Sequence, residues 1–284
     1  MSSSDAHANL AVSVRMRLVK IAHERGEESG MLFTRYALER FLYRLGQSGQ
    51  RSNFVLKGAM LLHALDPGFR RATKDLDLLG FGSSDPEHLA ACFRECAAFP
   101  VEDDGLDFDT SQLTCVPIRE ELEYGGQRVS FTARLGKAVL PIQIDVGFGD
   151  AITPGPEDLL YPTLLKQSQP NIRAYPVVTS VAEKLHAIAK LGMANTRMKD
   201  YYDLYIISQT FTINPLELRR ALERTFERRG TPMPTGLPLG LSDEFGLNPL
   251  KISQWQGFLK RNGIRSPELT LERVIERIRP WLKG

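Results

Sequence analysis

The sequence predicts an α+β protein, with strands and helices sharing the first half of the chain and helices dominating the second. Three observations predict it. Short apolar runs with two-residue alternation, such as Leu76-Asp77-Leu78 and Ile142-Gln143-Ile144-Asp145-Val146, mark strands in the first half. Segments of helical spacing precede and separate these runs, as in Leu38, Phe41, Leu42 and Leu45. From Ser180 onward the chain reads as helix, interrupted by a loop over residues 231–240 that holds three prolines and two glycines.

Taken in order, residues 11–45 are rich in Leu, Arg, Glu and Ala and predict two helices broken near residues 26–30. Phe54-Val55-Leu56 suits a short strand that ends at Lys57-Gly58 and turns into a helix over residues 59–65, which Asp66-Pro67-Gly68 stops. A second strand carries Asp75-Leu76-Asp77 and ends at Gly80 or Gly82, and a helix follows over residues 86–98. Leu113-Thr114-Cys115-Val116 and Val129-Ser130-Phe131-Thr132-Ala133, with a Gly125-Gly126 turn, predict a hairpin or meander. The run 142–146 closes the β region, with Ile142, Ile144 and Val146 inward and Gln143 and Asp145 on the other face. Ser180-Val181-Ala182-Glu183 fits a capping box opening a helix that Gly192 ends.

Composition narrows the functional classes. A chain of 284 residues with 42% hydrophobic content can bury a real core in one large domain or two ordinary ones. The net charge of +2, from 36 basic and 34 acidic side chains, supplies no global attraction to nucleic acid or membrane, so a nucleic-acid surface must be a local patch. Cys92, Cys96 and Cys115 lack metal-ligand spacing and are expected as reduced thiols. Met1-Ser2-Ser3-Ser4-Asp5 has no signal-peptide character and no apolar run approaches about 18 residues, so a cytoplasmic protein without membrane partners is expected.

The chemistry concentrates in Arg71-Ala72-Thr73-Lys74-Asp75-Leu76-Asp77. Strand alternation puts Asp75 and Asp77 side by side on one face, where two carboxylates repel unless a cation compensates. Mg²⁺ or Mn²⁺ is the natural ligand, and Asp145 can join them as the third carboxylate that two-metal phosphoryl transfer uses; the alternative is that Asp145 opens the Gly147–Asp150 turn. Lys57-Gly58, between strand and helix, offers a close backbone approach suited to a triphosphate, although the P-loop spacing is missing. Lys184, in the first turn of its expected helix, sits against the helix dipole and hints at an anion partner, or is a solvated lysine beside Glu183. Asp200 and Asp203 share a helix face at i, i+3, anchored by Tyr201, Leu204 and Tyr205, with a Lys199–Asp203 helix pair as the plainer alternative. Arg219, Arg220, Arg224, Arg228 and Arg229, and again Lys260, Arg261, Arg265, Arg273, Arg277 and Arg279, alternate with glutamates; the default is a solvated face, and a face that is basic throughout could carry RNA phosphates.

These motifs, in this order, resemble the nucleotidyltransferase toxins of the AbiEii type, encoded with an antitoxin in bacterial toxin–antitoxin systems. The resemblance runs from residues 35–45 through Phe54-Val55-Leu56-Lys57-Gly58-Ala59, Arg71 to Asp77, Ile144-Asp145-Val146-Gly147 and Glu183-Lys184-Leu185 to Lys199-Asp200-Tyr201-Tyr202-Asp203-Leu204-Tyr205. It implies a polymerase-β-like nucleotidyltransferase core with N-terminal helices over residues 1–160, a mixed sheet with flanking helices, and a mostly helical domain over residues 161–284 that completes the active site. Asp75, Asp77 and Asp145 would bind Mg²⁺ or Mn²⁺, with Asp145 helping to deprotonate the nucleophile. Lys184 would reach the triphosphate, Asp200 or Asp203 would complete the last motif, and Thr73 would lie at the site rim. The resemblance also implies transfer of nucleotides from a nucleoside triphosphate (NTP) to RNA, at the tRNA acceptor end, blocking translation, with a cognate antitoxin as partner. One departure stands out: Ala59 and Met60 follow Gly58 where the superfamily carries a hydroxyl residue.

Three other readings fit part of the pattern. An Asp-x-Asp glycosyltransferase using a nucleotide sugar explains Asp75 and Asp77 but leaves Asp145, Lys184 and Asp200 without roles. A haloacid-dehalogenase-type phosphatase lacks its expected residues after Asp77. A catalytically silent nucleotide-binding protein would accord with the altered Gly58-Ala59-Met60 turn.

Overall fold

The computed structural model describes residues 3–66, 68, 69, 71–118 and 125–283. Pro67 and the segment before the Gly125-Gly126 turn lie outside these residues. The chain divides into two compact units, residues 1–64, 72–149 and 157–174 forming the first and residues 65–71, 150–156 and 175–284 the second.

The first unit starts with two helices, α1 (Ser3–Arg25) and α2 (Ser29–Gln47), separated at Gly26, whose φ of +65° only glycine adopts readily. β1 (Phe54–Lys57), α3 (Gly58–Leu65), β2 (Asp75–Gly80) and α4 (Pro86–Ala98) follow as the apolar patterning requires. Pro86 and the Asp85 carboxylate, which accepts from the His88 N–H at 2.9 Å, set the start of α4. β3 (Leu106–Ile118), β4 (Gly126–Leu135) and β5 (Ala138–Phe148) form the expected meander. Two four-residue strands complete the sheet, β6 (Glu157–Leu160) and β7 (Asn171–Ala174). Both are too short to leave a periodic signal, and the sequence reading did not anticipate them.

Among the described residues, seven strands run in the order β3-β4-β5-β2-β1-β7-β6. β2 pairs with β5, and β1 with β7, in parallel, while the other neighbours are antiparallel, so the sheet is mixed. Phe41 of α2 stacks on Phe93 of α4 at 5.7 Å and meets Phe131 of β4, closing the core over one sheet face. At the edge of that core, Asp104 accepts from Arg44 at 2.6 Å and from Arg40 at 3.3 Å. Glu39, 1% exposed, accepts from the Leu164 N–H at 2.8 Å through Oε2, while its Oε1 has no hydrogen-bond partner. Burial, opposed by that N–H and by Arg40, pushes its carboxyl up to about 7. The three cysteines are free thiols; Cys92 and Cys96 are buried on one face of α4 and Cys115 is half-buried.

The second unit is helical: α5 (Val177–Leu191), α6 (Met198–Thr210), α7 (Pro215–Arg228), α8 (Asp243–Gly246), α9 (Pro249–Arg261), α10 (Leu271–Ile278) and α11 (Pro280–Lys283). Asn214 with Pro215, and Asn248 with Pro249, cap α7 and α9. Of the loop expected over residues 231–240, residues 231–238 are irregular and a short 3-10 turn takes over at Leu239–Leu241, while Gly192, at φ +49°, ends α5. The expected start of that helix is corrected: α5 begins at Val177 after Pro176, so Ser180 and Glu183 make no capping box. Ser180 instead donates its N–H to the Pro176 carbonyl at 3.4 Å, and Glu183 accepts from the Tyr175 hydroxyl at 3.0 Å. Among the described residues no helix is long and apolar enough to cross a membrane.

Candidate active site

In β2, Asp75 and Asp77 are half-buried while Leu76 and Leu78 are buried, as alternation requires of a strand with one face on a core. β5 repeats the pattern, with Ile144 and Val146 buried and Asp145 half-buried. The registers then set Arg128, Asp145, Asp77 and Lys57 level with one another across β4, β5, β2 and β1. Asp75 is level with Gln143 one step along the same face. Two carboxylates therefore stand at the centre of a row that carries a basic residue at each end.

Gly58 lies against this row. Its φ is +70°, and a Cβ placed there would overlap the Asp77 side chain, 2.6 Å from its Cγ and 2.7 Å from its Cβ. Only a residue without a side chain lets the turn into α3 come this close to the carboxylate. Thr73, buried at 6% exposure, donates its hydroxyl to Asp75 Oδ1 at 2.7 Å and orients that side chain. Arg128 holds Asp145 with a two-pronged contact, Nε to Oδ1 at 2.8 Å and Nη2 to Oδ2 at 2.7 Å.

The oxygen donors of Asp75, Asp77 and Asp145 suit a hard divalent cation in chemistry and in placement on one sheet face. Among the described residues, however, no three His, Cys, Asp or Glu side chains are gathered closely enough to hold a metal ion as they stand.

The second unit builds its own charged cluster around α5 and α6. Lys184 lies in the middle of α5, not in its first turn, so the helix dipole does not account for its placement. Its ammonium donates to Asp200 Oδ1 at 2.8 Å and Asp203 Oδ2 at 2.7 Å. Arg71 donates to Asp203 at 2.8 and 3.1 Å, and Arg197 to Asp200 at 2.7 Å. Asp200 and Asp203 are 1% and 0% exposed. Burial alone would raise the Asp200 carboxyl, but Lys184 and Arg197 outweigh it and hold it well below the usual carboxylate range. Burial likewise works against the Lys184 charge, and Asp200 and Asp203 raise its affinity for the proton above the ordinary value. Lys199 is exposed, and Asp203 pairs with Lys184 and Arg71 instead of with Lys199.

Asp75, Asp77, Asp145, Lys57, Gly58 and Thr73 thus fall together in the first unit, and Lys184, Asp200 and Asp203 in the second. Sequence reasoning assigned no role to Arg71, Arg128 or Arg197, each of which is bound to one of these carboxylates. Arg71 had a usable signal, four residues before Asp75 in a stretch already dense with charge; Arg128, on a strand whose other residues look ordinary, had none. Of the two basic helix faces, α7 behaves as a solvated one, with Arg219 paired to Glu223 at 3.0 Å in the open. Arg229 departs from it, half-buried and paired to Asp150 at 2.8 Å.

A family model described as the nucleotidyl transferase AbiEii toxin of a type IV toxin–antitoxin system matches residues 40–277. Among solved structures, the chain is similar to a candidate nucleotidyltransferase from Helicobacter pylori, with 16% identity, 88% of this chain and 92% of that chain covered, and a TM-score of 0.51. JHP933 from Helicobacter pylori aligns at 15% identity over 87% of this chain and 88% of that one, with a TM-score of 0.48. No curated protein sequence matches the chain.

Proposed function

The chain belongs to the AbiEii nucleotidyl transferase toxin family, and from that premise we propose that it transfers nucleotides from an NTP to RNA, with the 3′ end of tRNA as acceptor, under neutralisation by its cognate antitoxin. The observation that carries the reading is the register that sets Asp77 beside Asp145, with Asp75 on the same face and Gly58 closed against Asp77. Such a row of carboxylates is what in-line phosphoryl transfer uses.

In this reading Asp75, Asp77 and Asp145 hold Mg²⁺ or Mn²⁺, which when bound supplies charge neutralisation for the triphosphate and for the attacking hydroxyl. The RNA hydroxyl attacks the α-phosphorus, a new P–O bond forms, and the bond to pyrophosphate breaks. Asp145 helps take the proton that the hydroxyl loses. Thr73 fixes the rotamer of Asp75, and the Lys57-Gly58 turn presents its backbone to the phosphates. Lys184, Asp200 and Asp203 take a part in nucleotide handling that rests on the family resemblance. Because Lys184 is already committed to two carboxylates, it meets a phosphate only by exchanging one of those partners.

The test is to incubate the protein and Asp77→Ala separately with total bacterial tRNA, Mg²⁺ and each of the four α-labelled nucleotides, and resolve the products on a denaturing gel. Label on tRNA from the unmodified protein alone is the expected result and names the nucleotide. Equal labelling by Asp77→Ala would remove the metal-site assignment. Absence of label with every nucleotide would move the acceptor away from tRNA.

A further inference from the structure

We propose that Arg128 is a displaceable counter-ion for Asp145, keeping the third carboxylate engaged in the metal-free protein and yielding it when a divalent cation binds. The proposal rests on the metal-site reading above and goes beyond it by naming what the ion must compete with.

Three observations carry it. First, the row Arg128, Asp145, Asp77, Lys57 puts two carboxylates next to each other on neighbouring parallel strands, an arrangement that is unfavourable without an adjacent cation. Arg128 supplies that cation in the best available geometry, its fork matched to both carboxylate oxygens at 2.8 and 2.7 Å. Second, the three carboxylates share a face, yet no three acidic side chains are gathered to hold an ion among the described residues. Asp145 is turned toward β4, where Arg128 binds it, so gathering it with Asp75 and Asp77 means loosening that contact.

Third, Arg128 is placed so that it can let go. Its side chain is 40% exposed, against 17% for Asp145, so water already reaches it and unpairing it costs far less than unpairing a fully buried guanidinium would. Gln143 provides a place for it to stay: with its amide oxygen turned toward Arg128, it accepts from Nε and Nη2 at 3.2 Å each. Gln143 is two residues before Asp145 on the same strand face, so a released guanidinium remains beside the site.

A half-exposed ion pair is a modest competitor, so removing it should strengthen metal binding by about three- to tenfold. The measurement is a calorimetric titration of the full chain with Mn²⁺ alone, comparing the unmodified protein with Arg128→Gln, Arg128→Lys and Asp77→Ala. Arg128→Gln should bind Mn²⁺ more tightly, and Arg128→Lys should fall between, because a lysine keeps the charge without the fork. In the presence of a chelator Arg128→Gln should melt at a lower temperature than the unmodified protein, and Mn²⁺ should raise its melting temperature by more. Equal or weaker Mn²⁺ binding by Arg128→Gln overturns the proposal while leaving the metal site standing. Absence of Mn²⁺ binding by the unmodified protein removes the metal site and the proposal together, and undiminished binding by Asp77→Ala does the same.

Discussion

Replacing Gly58 by alanine should damage both stability and transfer, for two separable reasons. The backbone at Gly58 has φ +70°, a region in which an L-residue costs about 1–2 kcal/mol. The added methyl would also overlap Asp77, with Cγ at 2.6 Å and Cβ at 2.7 Å, and forcing an extra carbon into a closed contact costs about 1–3 kcal/mol more. Together these amount to about 2–5 kcal/mol, relieved only by moving Asp77 or the start of α3. A displacement of about 1 Å at a reacting site can cost about 100-fold in rate. Gly82 separates the two effects. Its φ is +91°, but a Cβ there would meet nothing within 4 Å, so Gly82→Ala bears only the backbone term. Urea unfolding followed by circular dichroism measures the stabilities, and the initial rate of nucleotide labelling measures the site. Gly58→Ala should be the less stable and should lose about 100-fold in rate, while Gly82→Ala keeps its rate. If the two variants matched in both measurements, the close approach of Gly58 to Asp77 would have no functional meaning.

Two further outcomes follow from buried charge. Glu39, with its carboxyl pushed from 4.5 up to about 7, binds its proton more tightly in the folded protein than in the unfolded chain. Its contribution is therefore complete below about pH 4.5 and lost as pH rises through about 7, a change of about 3 kcal/mol. Glu39→Gln should flatten that dependence, so that urea midpoints at pH 5 and pH 8 converge relative to the unmodified protein, and parallel pH profiles would reject the assignment. Lys184→Met leaves Asp200 and Asp203 buried with one cation fewer, and should cost about 3 kcal/mol in urea unfolding. Lys199→Met, at an exposed position of the same region, should stay within about 0.5 kcal/mol, and equal effects of the two would contradict the ion-pair network.

Much of the first unit was legible because its signals are local. Alternation at Leu76-Asp77-Leu78 and Ile144-Asp145-Val146 needs only the neighbouring residues to show which face is wet, and β2 and β5 agree with it. Gly26, Gly192 and the Asp85-Pro86 pair punctuate helices by backbone chemistry that acts within one turn. The start of α5 was misread for the same reason. Ser180-Val181-Ala182-Glu183 has the composition of a capping box, but Pro176 already fixes the helix three residues ahead of Ser180, and the Tyr175 hydroxyl draws Glu183 into a different bond.

The sequence by itself determined the order of helices and strands from α1 to β5, the common face of Asp75 and Asp77, and the family to which the motifs are similar. Only the tertiary structure decided that β5 lies beside β2, which brings Asp145 level with Asp77, and that Arg128 occupies Asp145. It also decided that Lys184 is spent on Asp200 and Asp203, and that Arg71 reaches Asp203 across 132 residues of chain. The physical reason is one of range. Backbone periodicity and turn chemistry act over a few residues and leave their mark on the sequence, whereas the partner of a buried charge is chosen by which strands and helices pack together.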